Sequence, residues 1–246
     1  MKPDLTDIIR QLAPTGILRA GVNMSNFLLV TGRNADGGPQ GVSPDMSAEV
    51  ARRLGVPVRY VLFESPGLLA DAAEATDERA WDIGLIGAEP QRAEKIAFTS
   101  AYVEIESTYL VPAGSPIQSL DEVDQPGNRI AVSSRAAYGL WLERNIKHAT
   151  LVGTGSLDES FDKFVEDKCE VLAGLRPRLL KDQQNLPGSR ILDGKFSAVQ
   201  QAIGTRRGND AGAAFLQAFV DEVKASGFVA ELIERHQAHG LSVAKN

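Results

Sequence analysis

The chain has 246 residues, 43% of them hydrophobic and 24% charged, a balance that supports a packed core and fits one large domain or two small ones. Its net charge is −6, from 32 acidic and 26 basic side chains, which argues against a nucleic-acid surface, where clustered Lys and Arg displace counterions. A single cysteine, Cys169, excludes an intramolecular disulfide and a thiolate metal site, and no stretch reaches the ~18 apolar residues that span a bilayer.

The first 16 residues, MKPDLTDIIRQLAPTG, lack the apolar core of a signal peptide, so either export is not coded in this chain or a leader has been removed. Ile17–Val22 reads as the first strand, followed by a polar turn-rich loop at 32–41. A helix follows, with Ser43 as expected cap, Pro44 at its first position and Gly55 as terminator. Val58–Phe63 is β-like, 67–80 helical, Asp82–Ile86 a short apolar run and Thr108–Val111 a strand that ends at Pro112, Gly114 and Pro116.

A second series opens with the strand Arg129–Val132 and the helix Ala136–Ile146. Ser156 with Glu159 forms a capping box before Phe161, Phe164 and Val165. Val171–Leu175 is a strand leading into a helix, and Ile191–Leu192 and Ser197–Ile203 are β-like. Two helices close the chain, the first capped by Asn209 and ended by Gly227, the second ended by Gly240. The pattern is α/β with two β/α series in a row, and about 85 residues between Pro112 and Phe196 form a candidate separate lobe.

The most informative segment is WDIGLIGAEPQRAEKIAFTSAY at 81–102. An apolar strand runs into Gly87, the chain turns at Glu89 and Pro90, and Arg92 stands at the start of a helical turn. Ligands of open α/β sheets sit beyond the carboxyl ends of the strands. A guanidinium there offers a planar fork for a carboxylate. The alternative for Arg92 is a solvated arginine paired with Glu89 or Glu94. Other signals are weak. Gly153, Thr154 and Gly155 lack the rest of a dinucleotide fingerprint. His236 and His239 read as a solvated helix end, Cys169 as a packed side chain, and no metal site or cofactor is expected.

These segments resemble the bacterial extracellular solute-binding proteins of family 3, the amino-acid-binding components of ABC importers. The resemblance runs over roughly 14–236, through LRAGVN at 18–23, GVSPD at 41–45 leading into AEVARRLGVPV, WDIGLIG, PQRAEKIAFTSAY and TYLVPAGSPI at 108–117. It implies a two-lobed periplasmic-binding-protein-like fold of type II, each lobe a mixed sheet flanked by helices. The strands at Thr108–Val111 and Ser197–Ile203 are the expected hinges. The lobes are expected at 1–110 plus 198–246, and at 111–197. The implied protein is a monomeric, non-enzymatic, periplasmic receptor that closes on a small anionic organic solute and delivers it to an ABC importer permease. By the same resemblance Arg92 grips the ligand carboxylate. Asn26 and Phe27 lie in the loop that supplies an aromatic wall, Phe63 faces it, and Gly87, Ala88 and Glu89 line the strand end. Ser133, Ser134 and Ala136 offer backbone contacts at a helix start.

Two departures bear on the ligand. The family's G-x-T-x-T before the arginine is replaced by GAEPQ. The aspartate that pairs with the ligand's ammonium is replaced by Gly174, with Arg176 two residues on. Glu64 or Glu89 is then the candidate counter-ion for an ammonium; alternatively Arg176 reads a second carboxylate and the ligand is a di-acid or lacks an amine. Two further readings stay open: a dehydratase-like enzyme for a cyclic carboxylate on the same fold, with Glu64 or Glu89 as general acid, and a non-exported sensory domain in the cytoplasm.

Overall fold

The computed structural model of the protein describes residues 5–245 and shows the expected alternation of strands and helices. Contacts gather the chain into two compact units, one running to Glu104 and resuming at Gln200, the other spanning Ile105–Val199.

The first unit begins with helix α1 (Thr6–Leu12) and strand β1 (Leu18–Asn23). The polar loop at 32–41 folds into a small hairpin of β2 (Gly32–Arg33) and β3 (Pro39–Gln40). Helix α2 (Val42–Leu54) starts earlier than the sequence suggests. Its N-cap is Gly41, at φ 147°, where a Cβ would come 2.3 Å from the Leu29 carbonyl oxygen, so only glycine fits. Ser43 lies inside the helix and its hydroxyl bonds Tyr102 Oη at 3.2 Å instead of capping. Gly55, at φ 72°, closes α2 as expected.

Strand β4 (Val58–Phe63) follows, then α3 (Pro66–Asp71), capped by Ser65 Oγ, which accepts from Leu68 N–H. Helical structure stops after a 3₁₀ turn at Glu74, short of residue 80, because Ala75 is extended and Asp77 turns the chain by accepting from Arg79 N–H. Strand β5 (Ile83–Gly87), α4 (Pro90–Ala93) and β6 (Ile96–Phe98) complete this stretch. Trp81 sits over the sheet: a Cβ at Gly21 or Gly84 would lie 3.2 Å from its ring, and its indole N–H donates to Leu69 O. Asp82, 5% exposed, accepts from Arg19 N–H, Nε and Nη2.

Strand β7 (Val103–Val111) carries the chain into the second unit. There β8 (Arg129–Ser133), α5 (Ala137–Asn145), β9 (Thr150–Thr154), α6 (Leu157–Glu166), β10 (Val171–Leu175), α7 (Arg176–Gln183) and β11 (Arg190–Ile191) follow in order. The sheet runs β11-β7-β10-β8-β9, with β8 parallel to β9 and β10, and β7 antiparallel to β10 and β11. Ser156 caps α6 by accepting from Glu159 N–H, and Glu159 reaches back to Gly155 N–H. Phe164, Leu110, Ala131, Leu172, Leu179 and the buried Cys169 form the core on one face. Gly153 belongs to β9, where a Cβ would overlap Ser134 Oγ. Its glycine therefore serves packing.

Strand β12 (Ser197–Arg206) returns the chain to the first unit. Within that unit β4 and β5 lie parallel on either side of β1, and β12 runs antiparallel along β5. Helices α8 (Asp210–Ala225) and α9 (Phe228–Arg235) and strand β13 (Ser242–Val243) finish the fold. Asn209 holds the N-cap position of α8 but makes no side-chain cap; Gln11 Oε1 from α1 accepts from Gly212 N–H in its place. Gly227, at φ 82°, separates α8 from α9. Helix α9 ends not at Gly240 but at Arg235, just before Gln237 turns left-handed at φ 49°. His236 is not a solvated end: its side chain is 6% exposed and Nε2 lies 2.8 Å from Asp45 Oδ2.

Candidate functional site

In the first unit the parallel strands β1, β4 and β5 end along one edge, with Asn23 in register with Phe63 and Val22 with Leu85. The loop after β1 is built from side-chain turns. Asn23 Oδ1 accepts from Ser25 N–H and Oγ–H. Asn26 Oδ1 accepts from the N–H groups of Leu28 and Leu29. Asn26 is buried by this work, and Phe27 beside it is 37% exposed. Phe63 instead joins Leu69, Ala72, Ala73, Trp81, Ile86 and Ile96 in the core. Glu64, the next residue, is exposed.

After β5 the chain is pinned. Gly87 is in register with Gln201, and Ala88 N–H donates to Gln200 O at 2.7 Å. The Ala88 amide is therefore engaged in the sheet. Glu89 is the N-cap of α4, and Pro90 fills its first position. Arg92, only 6% exposed, folds back so that Nη1 donates to Gly87 O at 2.7 Å. One face of its fork is thereby fixed by the strand that carries it. Arg92 is not the solvated arginine that its sequence neighbours suggest.

In the second unit β8 and β10 are parallel, so their carboxyl ends share an edge too. Ser134 N–H donates to Thr154 O and Ala136 N–H to Ser133 O. Both amides are used locally. Helix α5 starts just beyond, with Ala136 at its N-cap and no side-chain cap. Gly139 lets α5 press against this turn, since a Cβ there would stand 2.3 Å from Ser133 O. Gly174, next to the last residue of β10, is in register with Thr108, and a Cβ would meet Leu179 Cδ2 at 2.9 Å. A side chain at that place would require Leu179 to move.

Arg176 follows. Its Nε donates to Glu106 Oε2 at 2.9 Å and its Nη2 to Gly194 O. Glu106 also pairs with Lys195 Nζ at 3.3 Å. The Arg176 hydrogen bond, and then Lys195, hold the Glu106 carboxyl below the usual range. On the opposite face of β7, Tyr109 stacks on Phe196, and Phe196 on Trp141, with centroids 4.5 and 5.3 Å apart. Sequence reasoning missed Glu106 and Lys195. The signal lay in the alternation VEIESTYLV, which extends β7 back to Val103 and turns Glu106 to the same face as Thr108. Among the described residues no group of His, Cys, Asp and Glu gathers to hold a metal, and no helix is long and apolar enough to cross a membrane.

Residues 18–239 match the sequence profile of the bacterial extracellular solute-binding proteins, family 3, and the chain belongs to that family. Its fold is that of the type II periplasmic binding proteins. A mutant of ArgBP from T. maritima superposes with a TM-score of 0.73 at 18% identity, over 94% of this chain and 100% of that one. A putative binding component of an ABC transporter from Wolinella succinogenes, complexed with lysine, gives 0.72 at 19% identity, over 90% and 95%. An ancestral amino acid-binding protein, AncCDT-1, a precursor of cyclohexadienyl dehydratase, gives 0.72 at 18%, over 92% and 98%. Among curated proteins none matches in sequence.

Proposed function

We propose that the protein is the receptor of an ABC importer, capturing one small carboxylate-bearing solute, an amino acid or a derivative, outside the cytoplasmic membrane and handing it to a permease. The observation that carries this reading is Arg92, buried and oriented by the Gly87 carbonyl at the carboxyl end of β5. A guanidinium already held in place loses little freedom on taking up a carboxylate, which favours tight binding. The first-turn amides of α5, beyond the Ala136 N-cap, are the matching donors from the second unit. In this proposal the protein works as a monomer. Phe27 is the exposed ring available to cover apolar parts of the solute.

The test is calorimetry with the common L-amino acids on the wild type and on Arg92→Ala. Losing a hydrogen-bonded charge partner costs roughly 1.5–3 kcal/mol, about a 10- to 150-fold loss of affinity. Unchanged affinity in the variant would remove Arg92 from the site and the receptor reading with it.

A further inference from the structure

The charged residues at the carboxyl end of β10 bear on a question that the receptor reading leaves open, namely whether the solute carries an amine or a second acid. Register sets the geometry. Leu175 pairs with Ser107, so the next residues, Arg176 and Glu106, face each other where the parallel strands of the second unit end. That edge is where open α/β sheets present ligands.

The two cations at Glu106 differ in kind. Arg176 is anchored twice, by Glu106 Oε2 and by the Gly194 carbonyl, and its side chain is 29% exposed. It works as a fixed strut that keeps Glu106 ionised and aimed. Lys195 approaches the other oxygen at a looser 3.3 Å, with 42% of its side chain exposed. Its ammonium rides on a flexible stem, and such solvent-exposed pairs contribute little to stability.

We propose that Glu106 receives the amine of the solute and that Lys195 is a stand-in cation, occupying Glu106 in the empty protein and displaced when the ligand's ammonium arrives. This assignment rests on the receptor reading above. Three observations support it. The Lys195 contact shows that Glu106 Oε1 is open to an alkylammonium from that side. Two Arg176 donors, Nε and one on Nη2, are taken by Glu106 and Gly194, and the Glu106 carboxylate stands against the guanidinium, so a second ligand carboxylate drawn to Arg176 would meet a like charge beside it. Gly174 brings no carboxylate to the end of β10, and an acid there would require Leu179 to move, so Glu106 on β7 supplies the carboxylate at this place.

The experiment uses the full chain and two probe sets, the common L-amino acids and the dicarboxylates succinate, glutarate and adipate, read by thermal shift and then calorimetry. The wild type is expected to select an amino acid and ignore the dicarboxylates. For that amino acid Glu106→Gln should weaken binding about tenfold or more, the effect of losing a charge-assisted partner. Lys195→Met should tighten it about two- to fivefold, because the competing cation of an exposed pair is gone. A gain of affinity is a result that structural damage does not produce. Selection of a dicarboxylate, no binding by any probe, an amino acid held equally well by Glu106→Gln, or weaker binding by Lys195→Met would each overturn the assignment. Because Arg92→Ala is measured in parallel, loss of affinity there with no change in Glu106→Gln would sink the amine site and leave the receptor reading standing.

Discussion

Replacing Gly174 by alanine tests why the end of β10 carries no side chain. The added Cβ would stand 2.9 Å from Leu179 Cδ2 and 3.2 Å from its Cγ. Carbon atoms settle at about 3.5–4.0 Å, so the overlap is roughly 0.5–1 Å in a core where Leu179 is 1% exposed. Overpacking of this kind costs about 1–3 kcal/mol. The gain from restricting the unfolded chain returns about 0.4–1 kcal/mol, leaving a net loss near 1 kcal/mol. Leu179→Ala alone should cost about 2–5 kcal/mol through the cavity it leaves. Combined, the two changes relieve each other, because the new methyl enters the space that Leu179 vacates. Urea unfolding of the four proteins should therefore show the double variant at least ~1 kcal/mol more stable than the sum of the singles. Additivity within about 0.5 kcal/mol, or a Gly174→Ala variant as stable as the wild type, would refute the steric account.

Asp82→Ala strips three hydrogen bonds from Arg19, and because the Arg19 side chain is 21% exposed and reaches water, the loss on chemical unfolding should be about 3 kcal/mol, toward the low end for a broken buried pair. Gln11→Ala removes the acceptor that caps α8 through Gly212 N–H and should cost about 1 kcal/mol, read as a lower thermal midpoint. The hydrogen bond from Arg129 lowers Glu170 from an ordinary 4.5 to about 2. A depressed carboxyl contributes stability above its unfolded value and loses it as pH falls through the folded one. The stability advantage of wild type over Glu170→Gln, followed by thermal melts against pH, should hold above about 4.5, shrink on acidification and vanish near 2. A difference that stays constant across that range would show the ion pair to be irrelevant.

Much of the fold was legible because strand ends and helix ends are marked by local chemistry. Val58–Phe63 emerged with its observed bounds, and the Ser156 cap and the Gly55 terminator act as their residue types suggest. The two errors of helix capping share a cause: long-range partners overrode local preference. Ser43 is an ordinary capping residue, yet its hydroxyl serves Tyr102, and the N-cap position falls to Gly41, where the Leu29 carbonyl leaves no space for a Cβ. Asn209 lost its capping role to Gln11, which lies 198 residues earlier in the chain. The site was legible to the extent that a strand end and an arginine can be read from WDIGLIGAEPQR. That the Ala88 amide is spent on Gln200 and that Phe63 belongs to the core depend on pairing and packing, which local patterns do not record. Glu106 was hidden because two glutamates at alternate positions interrupt the apolar run by which the strand was recognised.

The chain contains two tryptophans, and the fold puts one in each unit. Trp81 is 3% exposed, with its indole N–H satisfied by Leu69, so its emission should be blue-shifted and indifferent to solutes. Trp141 is half-buried against Phe196, the residue that follows Lys195. A solute that shifts the backbone at Lys195 also shifts the Phe196 ring against which Trp141 packs. The protein thus carries its own optical reporter and its own reference: emission collected on the long-wavelength side should follow the half-buried Trp141 during a titration, while the shorter-wavelength emission of Trp81 supplies the baseline without any added dye.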